Sequence, residues 1–130
     1  MMQVKIVTPQ GLYGSFDANK IHCTTVVGEC TLLSNHMPFV AMLQISKLIL
    51  TVDNIDKIFA ISSGILHLSD NKVNILVDAI EGKEEIDLER AKKSAERAKK
   101  RLERKDANTS IRRAEVSLQR ALNRINIKNG

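Results

Sequence analysis

The chain has no tryptophan, two prolines, two cysteines, and only four aromatic residues among 130: Tyr13, Phe16, Phe39 and Phe59. A core built from this composition is mostly aliphatic, and one modest core is what 130 residues can bury. No run of about 18 apolar residues occurs, so no helix of this sequence is expected to span a bilayer. The opening "MMQVKIVTPQG" resembles neither a signal peptide nor an amphipathic transit peptide. The expectation is a protein used inside the cell or on the inner face of its membrane. Cys23 and Cys30 lie seven apart, a spacing that matches no metal or redox motif and reads as two free thiols in a reducing compartment.

Catalytic patterns are missing as well. "SSGI" around Ser63 lacks the frame of a nucleophile elbow. "GLYG" at 11–14 reads as a glycine-containing turn, and without a following Lys-Ser/Thr it is no phosphate loop. His22, His36 and His67 stand at unrelated spacings. An enzyme active site is therefore not expected.

The charge that is present is unevenly placed. Residues 1–86 hold 6 Lys+Arg against 9 Asp+Glu, a net −3, and residues 87–130 hold 14 against 6, a net +8. The two stretches also differ in period. Short β-branched runs fill the first: "MQVKIVT", "NKIHCTTVVG", "ECTLLS", "ISKLILTV", "DKIFAIS", "ILHLS" and "KVNILVDA". Pro9-Gln10-Gly11, Pro38, Asp53-Asn54, Ser63-Gly64 and Asp70-Asn71 punctuate them. This spacing predicts an N-terminal β-sandwich, or flattened barrel, over residues 1–85.

Residues 86–130 step by three and four. Leu88, Ala91, Ala95, Ala98 and Leu102 form one narrow stripe, and Ile111, Ala114, Leu118, Ala121 and Ile125 repeat it. Asp87 and Ser110 are the expected N-caps, and "KDANTS" is a short polar connection. The prediction is a C-terminal antiparallel two-helix hairpin. Half of the ten stripe residues are alanine, and an all-leucine seam would bury roughly 10 kcal/mol more. The pattern fits a closely packed static hairpin first, and it also fits two good helices that separate without unfolding.

Arg90 and Arg97 share one helical face, as do Arg120 and Arg124. In an antiparallel hairpin they converge near its open end together with Asp87. Guanidinium forks suit phosphate oxygens, although an ordinary solvated, salt-bridged face has the same spacing. The basic tail also fits a nucleic-acid-binding module electrostatically. It lacks the aromatic stacking platforms that such modules use, and its basic residues alternate with acidic ones.

The stretches "VKIVTPQG", "GECTLLSNHMPFVAML", "SSGILHLSDNKVNILVDAIE", "IDLERAKKSAERAKKRL" and "RRAEVSLQRALNRI" together run nearly end to end. On these the chain resembles the ε subunits of rotary proton-translocating ATP synthases. The resemblance implies a non-catalytic central-stalk subunit that rotates and couples proton flow to ATP synthesis, peripheral to the cytoplasmic face of a bacterial membrane. Its sandwich would grip the γ subunit and sit on the c-ring, through loops matching Glu29 and His36-Met37-Pro38. Its hairpin would extend toward the α and β subunits, meeting an acidic loop of β, and restrain ATP hydrolysis. The resemblance requires no cofactor. It does imply ATP as a regulatory ligand of the folded hairpin, because Ile86-Asp87-Leu88-Glu89-Arg90-Ala91 matches the family's ATP motif. Glu81, Arg97, Arg120 and Arg124 match its further site residues.

Overall fold

The structure is a computed structural model and describes residues 1–104 and 111–130; the expected N-cap Ser110 and the connection from Lys105 lie outside the described residues. Two compact units divide the chain, Met1–Gly82 and Lys83–Gly130.

The first unit is a ten-stranded β-sandwich. Its strands are β1 (Met2–Thr8), β2 (Gly11–Ala18), β3 (Lys20–Thr25), β4 (Gly28–Leu33), β5 (Phe39–Leu43), β6 (Ser46–Val52), β7 (Ile55–Ile61), β8 (Gly64–Ser69), β9 (Lys72–Val77) and β10 (Ile80–Gly82). The pairing order is β10-β7-β6-β3-β5-β8-β9-β1-β2, with β4 on β3. All pairs are antiparallel except β1 with β9. β3 and β5 meet at a single pair, Thr25 with Leu43, which forms the corner between the two layers.

Alternation explains which residues form the core. Met2, Val4 and Ile6 of β1, Leu66 and Leu68 of β8, and Val73, Ile75 and Val77 of β9 point inward, with Leu48 and Leu50 of β6 facing them from the other layer. Phe59 is the one buried aromatic. Tyr13 and Phe16 of β2 meet it edge-on, with centroids at 6.1 Å and 5.8 Å.

Four departures from the sequence reading have local causes. "GLYG" is not a turn; it opens β2, which pairs with β1 through a bulge at Ile6/Val7. The run "NKIHCTTVVG" is broken at Val26-Val27, because the Thr25 hydroxyl accepts from the Val27 amide (3.2 Å) and donates to the Gly28 carbonyl (2.8 Å). That side-chain turn outweighs the strand preference of the two valines, and Gly28 takes φ 133°, where a side chain is disfavoured. "FVAML" after Pro38 is a full strand, β5. β10 adds three residues that carry no strand signal. The two Asp-Asn pairs form two-residue hairpin turns, with φ of 52° and 63° at Asp53-Asn54 and 51° and 59° at Asp70-Asn71.

The second unit has a 3₁₀ turn at Lys83–Glu85, then α1 (Leu88–Arg104) and α2 (Ile111–Asn129). Asp87 caps α1: its Oδ1 accepts from the Arg90 amide at 3.1 Å. Lys128 Nζ donates to the Lys83 carbonyl (3.1 Å), and Lys83 Nζ donates to the Gly130 carbonyl (2.6 Å). The end of α2 thus returns to the turn that precedes α1, and the helices run antiparallel. The five alanines of the two stripes are all buried. The five larger stripe residues are not: Leu88, Leu102, Leu118 and Ile125 are half-buried and Ile111 is exposed. Alanine lets the axes approach closely, and side chains too large for that gap splay to its flanks.

Candidate partner face and arginine-bearing hairpin

The register of the sandwich aligns apolar side chains on its solvent face. Met42 lies opposite Ile65, Ile65 opposite Leu76, Leu76 opposite Val7, and Val7 opposite Leu12. One row therefore crosses β5, β8, β9, β1 and β2. Met42, Ile65, Leu76 and Leu12 are 45–62% exposed, and Val40, two residues from Met42 on β5, extends the patch. Apolar surface that is contiguous across five strands marks an interaction face rather than scattered exposure. The sequence reading missed this row. Its signal was apolar residues on both faces of "FVAML" and "NILV", but only the register shows that they line up.

The loop carrying His36, Met37 and Pro38 is pinned from both sides. Asn35, at φ 64°, donates its amide to Asn71 Oδ1 (2.6 Å), and Asn71 Nδ2 donates back to Asn35 Oδ1 (3.0 Å). The His36 ring nitrogen Nδ1 lies 2.7 Å from the Met37 carbonyl, and its ring meets Phe39 edge-on at 5.8 Å. These contacts leave Met37 78% exposed on a fixed loop. Glu29 is exposed on β4, with His22 Nε2 at 3.6 Å; His22 Nδ1 lies 3.1 Å from Thr31 Oγ1. Among the described residues no hydrogen bond or ion pair joins Glu29 to the 35–38 loop.

On the hairpin, Asp87, Arg90 and Arg97 line one open groove of about 460 Å³ along α1, together with Glu89, Lys93, Glu96 and Lys100. Four cations against three carboxylates leave it net basic. The Glu96–Lys100 pair at 4.0 Å is exposed and worth only a few tenths of a kcal/mol. Arg97 Nη2 donates to Ser94 Oγ at 3.3 Å. Arg120 and Arg124 lie on α2, outside the lining of this groove. Arg120 Nε is buried and has no hydrogen-bond partner among the described residues, an uncommon state for a charged donor. Glu81 lies on β10 in the first unit, paired with Ala60. Among the described residues there is no His/Cys/Asp/Glu cluster suited to a metal, and no helix is long and apolar enough to cross a membrane.

A sandwich followed by a helical region is the combination that two family models divide between them. The model for the ATP synthase delta/epsilon chain β-sandwich domain matches residues 1–83, and the model for the delta/epsilon chain long α-helix domain matches residues 84–129. The chain belongs to the ATP synthase delta/epsilon chain family. The ATP synthase epsilon chain of Ligilactobacillus salivarius is 42% identical, over 98% of this chain and 94% of the relative. That of Clostridium novyi is 44% identical over 71% of each. Among solved structures, a chain of the Euglena gracilis mitochondrial ATP synthase OSCP/F1/c-ring assembly superposes with a TM-score of 0.78 at 23% identity, covering 91% of this chain and 75% of that one. A chain of the Tetrahymena thermophila mitochondrial central stalk/c-ring matches with a TM-score of 0.54 at 22% identity, over 65% and 68%. At these identities the structural matches speak to the fold of this family member, and the family itself rests on the sequence models and the bacterial relatives.

Proposed function

We propose that this family member is the non-catalytic ε-type subunit of a rotary ATP synthase central stalk, held peripherally at the cytoplasmic face of a bacterial membrane. It couples proton flow to synthesis and restrains ATP hydrolysis through its C-terminal hairpin. The observation that carries this reading is the apolar row from Met42 to Leu12. An exposed stripe of this kind needs a permanent partner, and the γ subunit is that partner. The fixed loop His36-Met37-Pro38 and Glu29 face γ and the c-ring. The basic helices suit an acidic segment of the β subunit, with α adjoining.

The hairpin supplies the regulation. A seam of five alanines holds the two helices by close approach more than by buried area, so opening it exposes little apolar surface. ATP binds the folded form through Arg90, Arg97, Arg120 and Arg124 of the hairpin, with Asp87. The orphaned Arg120 Nε supports this, because a phosphate oxygen would satisfy a buried cationic donor. A ligand that binds only the folded form stabilises it by about 2.7 kcal/mol at one hundred times its Kd.

Two experiments test the reading. The chain is mixed with purified γ subunit and analysed by size exclusion. A stable complex that Ile65→Glu and Leu76→Glu abolish is expected; no complex with wild type would refute it. Calorimetric titration with ATP is expected to give heat that Arg90→Ala with Arg124→Ala removes, and no heat at millimolar ATP refutes the ligand assignment. Steep salt-dependent binding to random DNA or RNA would instead favour the nucleic-acid reading.

A further inference from the structure

We propose that Cys23 and Cys30 form a peroxide-responsive dithiol site, in which a hydroperoxide converts the two thiols to a disulfide across β3 and β4. Both cysteines are free thiols, and the strand register sets them directly opposite each other. Opposed residues of an antiparallel pair have Cα atoms about 4.5–5.5 Å apart, within the ~4.4–6.8 Å window of disulfides. Their side chains project to the same face of the sheet, toward the core that Cys23 joins and Cys30 packs against.

Their surroundings give the two sulfurs different roles. Cys23 has no exposed surface, whereas Cys30 is half-buried and reachable. Burial, and then the charge and hydrogen bond of Cys30, push the Cys23 thiol up to about 11, so it stays protonated and unreactive toward solvent. Cys30 is then the attacking sulfur. Its thiolate attacks the O–O bond of the hydroperoxide, an S–O bond forms, and the alcohol leaves after taking a proton. The Cys23 sulfur next attacks the Cys30 sulfenic sulfur. The S–S bond forms, the S–O bond breaks, and the hydroxyl leaves as water with the Cys23 proton. Two thiols and one hydroperoxide thus give one disulfide, one alcohol and one water; with hydrogen peroxide, the alcohol is a second water.

The disulfide would span the turn that carries Val26 and Val27, which are 55% and 93% exposed, and it would lock the strand that bears Glu29. The chemistry is independent of the motor assignment.

The test uses the folded full chain with hydrogen peroxide at modest excess, followed by alkylation and peptide mass analysis. Cleavage at lysine places both cysteines on the peptide 21–47. The expected result is loss of two hydrogens from that peptide, reversal by dithiothreitol, and two halves that stay joined after a cut at Glu29. In Cys23→Ala the resolving sulfur is gone, and a dimedone adduct should accumulate on Cys30. Several results would overturn the proposal: no oxidation while the chain stays folded, sulfinic acid on Cys30 beside a reduced Cys23, or a disulfide between two chains. The wild-type peptide decides the matter even if the variant does not fold.

Discussion

Replacing Asp87 by alanine removes the acceptor 3.1 Å from the Arg90 amide and a negative charge at the positive end of α1. Loss of such a cap costs about 1 kcal/mol, within a range of roughly 0.5–2. Loss of the charge at the helix terminus adds about 0.3–1 kcal/mol at low salt. The sum, near 1.5 kcal/mol, is about a tenfold increase in the opening equilibrium of the first turns of α1. Asp87→Asn separates the two effects, because the amide oxygen still accepts while the charge is gone; its opening should rise only about two- to fivefold. Amide exchange along residues 88–95 reads both changes, and exchange in β1, β8 and β9 should stay at the wild-type rate, because the cap belongs to the other unit. The cap argument is refuted if alanine and asparagine give the same increase, or if neither changes exchange.

Three further outcomes follow from the sandwich. At Gly64 a Cβ would collide with the Leu76 carbonyl and lie 2.7 Å from Val77 Cγ1, so Gly64→Ala should lower the unfolding free energy, read by denaturant titration, by about 1–3 kcal/mol or more, or leave the strands unpaired. Because the Cys23 thiol is raised to about 11 in the folded chain, its neutral form is favoured there. The stability it contributes is full below the unfolded pKa of about 8.5–9 and is lost as pH rises toward 11, by about 3 kcal/mol in total. Unfolding of wild type compared with Cys23→Ala between pH 8 and 11 should show that difference shrink; a constant difference contradicts it. Finally, a chain ending at residue 86 should fold and bind γ with unchanged affinity, as read by circular dichroism and size exclusion.

The sequence made some of this structure plain and hid the rest for definite reasons. β1, β6, β7, β8 and β9 were legible because their outward residues are largely polar or their turns are Asp-Asn pairs. β2 was not, since Gly11 and Gly14 mimic a turn and its aromatic residues sit half-buried at the layer edge against Phe59. The Val26-Val27 turn was hidden because a threonine hydroxyl makes it out of two strand formers. The hairpin was read from its three-four spacing, and Asp87 as its cap. That only the alanines of the two stripes are buried was not readable, because the spacing gives the face and not the distance between axes. In the candidate site, Asp87, Arg90 and Arg97 share a groove. The orphaned Nε of Arg120 depends on packing that no spacing rule encodes, as does the alignment of Met42, Ile65, Leu76, Val7 and Leu12.

Residue-resolved hydrogen exchange on the intact chain, with and without millimolar ATP, tests most directly whether the alanine seam makes α1 and α2 a separable element. The account predicts that these helices exchange through openings of lower free energy than the core strands β1, β8 and β9, and that ATP slows them while leaving the strands unchanged. Helices protected as strongly as the strands, and indifferent to ATP, would contradict it.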